Sequence, residues 1–239
     1  MAKTISPFNH YLNSSKTIHY GLILTLPLLA IYEFGIHVLF HENFFELRNS
    51  GEILLRSLFE YFGLTEPTII SGILVGIFLL VMVRGYRIER KPGLHANFFI
   101  YMLMESMLWG SMLFVAMQAF TQIPLQLITF EDKLATMNLA IGAGIFEELI
   151  FRMIVMSALI VIMERGLSVS RKWAVGLAIL FSAGIFAAFH LLMESYSLPI
   201  FSQRVFGGLL LGTLYRYRGY GISVYAHVVY NFIVLAGSW

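Results

Sequence analysis

Cysteine is absent from the 239-residue chain. Disulfides, a thiol nucleophile and thiolate metal ligands are therefore excluded together. Aspartate occurs once, as Asp132 in a loop, which rules out a two-aspartate intramembrane protease. No Gly-x-Ser-x-Gly or Gly-x-Ser-x-His is present, so a serine nucleophile elbow has no support. The single His-Glu pair, His41-Glu42, lacks the second histidine of a His-Glu-x-x-His zinc helix. There is no Walker loop. Charge is scarce as well, with 13% of residues charged against about 25% in soluble domains. The net charge of +2 is too small to suggest a nucleic-acid partner.

What replaces charge is apolar surface. Apolar residues make up 58% of the chain, and the mean hydropathy is +0.77. Apolar runs near the roughly 20 residues needed to cross a bilayer recur from end to end. The expected fold is all-α, a polytopic transmembrane bundle forming one membrane domain over residues 1–239. Seven spans are expected: Tyr20–Phe40, Pro67–Val83, Ala96–Phe120, Met137–Met163, Trp173–Ser197, Ile200–Tyr217 and Tyr220–Gly237. The polar segment Met1–Lys16 lacks the features of a cleaved leader, so the first run reads as a permanent span. Between the first two, Gly51–Phe62 places Leu54, Leu55, Leu58, Phe59 and Phe62 on one helical face. Glu52, Arg56 and Glu60 point elsewhere, which predicts an amphipathic helix lying in the interface.

Basic residues set the orientation. One side collects Lys3, Lys16, Arg84, Arg87, Arg90, Lys91, Arg165, Arg171, Lys172 and Arg218; the other has Arg48, Arg56 and Lys133. The N-terminus is thus expected to be cytoplasmic and the C-terminus external; in a bacterium the membrane would be the cytoplasmic one. Gly72-x-x-x-Gly76 and Gly208-x-x-x-Gly212 suit close helix packing.

Each ionisable group within a span is costly and calls for an account. The fourth span carries Glu147, Glu148 and Arg152, the fifth His190, and the seventh His227 and Asn231. Glu148 and Arg152 are four apart and share a face, as an ion pair requires. Glu147 and Arg152 are about 140° apart at about 100° per residue. Glu148–Arg152 is therefore expected to be structural, leaving Glu147 for chemistry. His227 and Asn231 face one way together. Elsewhere, Glu105 has the option of joining the cavity, Arg204 is expected to snorkel outward, and Glu194 to lie at the interface. Glu33 has no assigned role. Met102, Met104 and Met107 are expected to be packing residues.

Glutamate, two histidines and asparagine suit the activation of water. Glu147 would be the general base, with His190 orienting the same water. His227 and Asn231 would donate to a developing oxyanion. Two histidines and a glutamate, here Glu147, His190 and His227, also make a common catalytic zinc set; the favoured scheme needs no metal.

Glu147-Glu148-x-x-x-Arg152, Phe186-x-x-x-His190 and His227-x-x-x-Asn231, in that order, resemble the CPBP family. That family contains CAAX prenyl endopeptidases of the Ras-converting type and bacterial proteins linked to bacteriocin processing or self-immunity. The resemblance covers a core of residues 137–237, while residues 1–136 carry spans without an assigned role. It implies an intramembrane endopeptidase acting on a membrane-associated protein or peptide within the lipid bilayer. It also implies those same roles for Glu147, His190, His227 and Asn231. In a bacterium, a peptide, a precursor tail or a membrane-protein segment fits better than a prenylated protein. A non-catalytic immunity or chaperone-like membrane protein is the alternative. A proton-coupled transporter is a third, disfavoured by the lack of an inverted repeat.

Overall fold

The computed structural model describes residues 6–39, 48–88, 93–120, 133–191 and 197–238. Lys3, His41, Glu42, Arg90, Lys91, Asp132 and Glu194, all used in the sequence analysis, lie outside them. The described residues are all-helical. A short helix α1 (Pro7–Ser15) precedes α2 (Ile18–Leu39), α3 (Ser50–Tyr61), α4 (Pro67–Ile88) and α5 (Ala96–Phe120). Next, α6 (Lys133–Glu147) runs without a break into a π-helical stretch, Glu148–Met156, then α7 (Ser157–Val161) and a second π stretch, Ile162–Gly166. The chain ends with α8 (Arg171–His190), α9 (Leu198–Arg218) and α10 (Tyr220–Ser238).

Four of these, α2, α5, α8 and α10, are long and apolar enough to cross a membrane. Long helices also occupy the other three expected spans, at α4, α6 to Gly166, and α9. α10 is the central element, with 61% of its apolar window buried against 22% for α5. The largest core unites α2, α6 and α10 through Tyr32, Ile36, Ile145, Phe146, Val224 and Val228.

Lipid tails are as apolar as leucine, so helix contacts here rest on close packing rather than on escape from water. Gly144 shows this. A Cβ there would collide with Val228 Cγ2 and lie 3.2 Å from the Val224 carbonyl. Gly144→Ala should therefore cost about 1–3 kcal/mol, read as earlier unfolding in a detergent titration. Adding Val228→Ala should return part of the loss; no recovery would mean the two helices do not meet there. Of the two small-residue patterns, Gly208 suits a close approach: a Cβ there would come within 2.9 Å of Ala183 Cβ. A Cβ on Gly72 or Gly76 would meet no described atom within 4 Å, so that pattern serves no close approach among the described residues. Gly219 alone links α9 to α10. Its φ of +79° and its Cβ direction, 2.5 Å from the Lys16 carbonyl oxygen, both demand glycine.

α3 forms where expected, but its faces are reversed relative to a water-facing helix. Glu52 is fully buried and Arg56 is 6% exposed, whereas Leu54, Leu58 and Phe62 point outward. The polar face closes on an ion cluster. Glu52 accepts from Arg48 at 2.6 Å, Arg56 at 2.7 Å and the Tyr32 hydroxyl at 2.8 Å. Arg48 also holds Glu33 at 3.1 Å. Buried charge satisfied internally, with leucine turned outward, is the arrangement a lipid solvent rewards.

Candidate active site

The continuous helix from Lys133 places Glu147 and Glu148 where its winding changes from α to π. π turns of this kind are rare and concentrate at functional sites. Glu148 is fully buried and collects three partners. Its Oε1 lies 3.1 Å from Arg152 Nη1 and 3.0 Å from His227 Nδ1. Its Oε2 accepts from the Ser223 hydroxyl at 2.6 Å. The Arg152 contact is an ion pair by distance without hydrogen-bond geometry, because neither Nη atom has an acceptor among the described residues. The guanidinium instead lies over the Phe186 ring, 4.5 Å from its centroid.

Glu147 is 5% exposed. Its Oε2 lies 4.0 Å from His227 Nε2. His227 therefore sits between two carboxylates, with one ring nitrogen toward each. The 3.0 Å contact has His227 Nδ1–H donating to Glu148 and fixes the imidazole's orientation. The 4.0 Å separation exceeds a hydrogen bond and suits a bridging water.

One turn on, the Asn231 amide donates to the Ala140 carbonyl at 3.3 Å. His227 and Asn231 both line a small cavity between α5, α8, α9 and α10, together with Phe186, Gln203, Arg204 and Tyr230. It offers about 30 Å³ to water centres, where one water needs about 10–15 Å³. Glu147 and His190 are not among its lining residues.

His190 is the last residue of α8. Its Nδ1 lies 2.9 Å from the Phe186 carbonyl, and its ring meets the Phe186 ring at 4.7 Å. Phe186 thus lies between His190 and Arg152. Among the described residues, no three His, Cys, Asp or Glu side chains are gathered to hold a metal ion. Glu147, His190 and His227 are accordingly not assembled as the zinc set that the sequence allows, and no catalytic step is assigned to a metal.

Two expectations change. Glu105 does not join the cavity. It accepts from Arg218 Nη2 at 2.8 Å, Tyr11 at 2.6 Å and Trp109 at 3.1 Å, tying α1 and α5 to the end of α9. Met104 and Met107 lie on the outer face of α5, and of the three methionines Met102 alone is buried. Ser223 was not expected at the site, although Ser223, His227 and Asn231 recur every fourth residue on one face of α10. Buried Gln203 was missed as well, because α9 carries no pattern that points to it.

Residues 129–233 match the family model for the Type II CAAX prenyl endopeptidase Rce1-like family. That span contains every residue of the cluster, and α1 to α5 fall outside it. No curated protein and no solved structure matches the chain.

Proposed function

We propose, from the match of residues 129–233 to the CAAX prenyl endopeptidase family, that the chain hydrolyses a peptide bond of a membrane-associated protein or peptide inside the bilayer. The observation that carries this reading is the buried pair of Glu147 and Glu148 with His227 between them. One carboxylate is engaged by Arg152, Ser223 and His227; the other, among the described residues, faces the His227 ring at 4.0 Å. That division supports Glu148 as the group that orients His227 and Glu147 as the base.

In this scheme Glu147 takes a proton from water as the oxygen attacks the scissile carbonyl, then returns it to the leaving nitrogen. His190, its Nδ1–H held by the Phe186 carbonyl, would orient the same water. Asn231 Nδ2 carries two hydrogens, one of them directed to Ala140, and the other serves the oxyanion. His227 Nε2 joins it only when that nitrogen is protonated. Because Nδ1–H is held by Glu148, the donor would be the imidazolium. The reaction proceeds without a metal.

The chain would cross the bilayer seven times, adding α4, the α6 helix and α9 to the four apolar helices. Its N-terminus would be cytoplasmic and its C-terminus external. The test is purified full-length protein in liposomes with single-span reporter proteins and mass spectrometry of the products. Discrete cleavage within or beside the membrane segment is expected. Intact reporters in the presence of folded protein would favour the non-catalytic immunity reading.

A further inference from the structure

A serine or threonine inside a helix commonly bonds back to the carbonyl one turn before it. Thr25, Ser57, Ser106, Ser111 and Thr213 all do so, each four residues from its acceptor. Ser182 of α8 does not. Its hydroxyl crosses to the Phe151 carbonyl at 2.6 Å, and the residue is buried. Tyr220, the first residue of α10, reaches across in the same way. Its hydroxyl donates to the Ile145 carbonyl at 3.1 Å, and it too is buried. Both acceptors belong to the helix that carries the two glutamates. Ile145 lies two residues before Glu147, and Phe151 one residue before Arg152.

The two bonds bracket the change of winding, since α6 ends at Glu147 and the π stretch begins at Glu148. A carbonyl has two lone pairs, so it can accept from a hydroxyl besides its helical partner. A π turn holds about one more residue than an α turn. Return to α winding would therefore shift the residues beyond the junction by about one position, or about 100° round the axis. Arg152 sits over Phe186 of α8, while the glutamates face His227 of α10. After such a shift the helix could not keep both sets of partners. α3 meets the same junction: a Cβ on Gly51 would lie 3.1 Å from Phe146 Cβ and 3.3 Å from the Glu147 nitrogen.

We propose that Ser182 and Tyr220 are positioning residues for the reaction. Their hydroxyls hold the π winding between two fixed points, at Phe151 and Ile145. That winding sets Glu147 and Glu148 against the two ring nitrogens of His227. Both hydroxyls bond to backbone carbonyls, so they act through the helix and not on the substrate. Their part in catalysis rests on the hydrolytic reading of Glu147; their hold on the pair does not.

The test compares full-length wild-type protein in nanodiscs with Ser182→Ala and Tyr220→Phe, each of which removes one oxygen and adds no heavy atom. Histidines are labelled with ¹⁵N, and the His227 ring signals are identified by their loss in His227→Gln. Both variants should fold, and both should shift the Nδ1 signal that reports the bond from His227 to Glu148. On a membrane-anchored reporter, kcat should fall about 10–100-fold with KM within about twofold, since a misplacement of about 1 Å can cost about 10²-fold. An unchanged His227 signal in both folded variants overturns the proposal whatever the rate does. A shifted signal with wild-type kcat, or a loss carried by KM, overturns it as well. A shift in one variant alone removes the other residue from the role. If one variant fails to fold, the other decides; if neither folds, the two hydroxyls are scaffold and the proposal falls. A wild-type protein that leaves the reporter intact sinks the proteolytic reading, and the His227 signal alone then decides whether Ser182 and Tyr220 hold the pair.

Discussion

Glu147→Gln should lower kcat on a membrane-anchored reporter by about 10²–10⁴-fold, the range for loss of a general base. KM should change little, because the substitution removes a proton acceptor and keeps the side chain's shape. Stability should hold too. Glu147 is 5% exposed and contacts His227 Nε2 only at 4.0 Å, so an amide there breaks no short bond and removes a buried charge. Rate and unfolding measured on the same preparation separate the two effects. Loss of activity together with loss of fold would instead make Glu147 part of the scaffold, like Glu148.

Arg152→Met carries the second large effect, this time on stability. Glu148 is fully buried, and Arg152 is the sole permanently charged group within its contacts, at 3.1 Å. Removing one partner of a buried ion pair costs about 3–5 kcal/mol, because the other charge remains desolvated. Ser223 and His227 would still donate to Glu148, but no fixed cation would balance it. The double variant Arg152→Met/Glu148→Gln should be more stable than Arg152→Met alone, since it leaves no bare charge behind. Equilibrium unfolding in mixed detergent micelles reads both. A single variant within about 0.5 kcal/mol of wild type, the range of ordinary surface substitutions, would end the structural assignment of the pair.

The helices were legible wherever an apolar run was long and bounded. α5 occupies Ala96–Phe120, the range expected from its uninterrupted run. The Glu148–Arg152 pair and the shared face of His227 and Asn231 followed from helical spacing alone, and a local change to π winding did not undo the pair. What sequence could not supply was the direction of a face. α3 has a clean amphipathic pattern, yet in lipid the polar side turns inward. Glu52 points to the protein because Tyr32 of α2 and Arg48 before α3 donate to it, and Arg56 follows it inward as a further donor. His190 shows another limit: the expected span ran on to Ser197, whereas α8 ends at His190 and turns its ring onto Phe186.

Water activated by Glu147 is the centre of the mechanism, and isotope transfer tests it most directly. Cleavage of a membrane-anchored reporter is run in ¹⁸O-labelled water with wild-type protein and with Glu147→Gln, and the new C-terminus is analysed by mass spectrometry. The glutamate scheme predicts one solvent-derived ¹⁸O in each new carboxylate from the wild-type protein and essentially no product from the variant. Labelled product formed at equal rates by both proteins would contradict it.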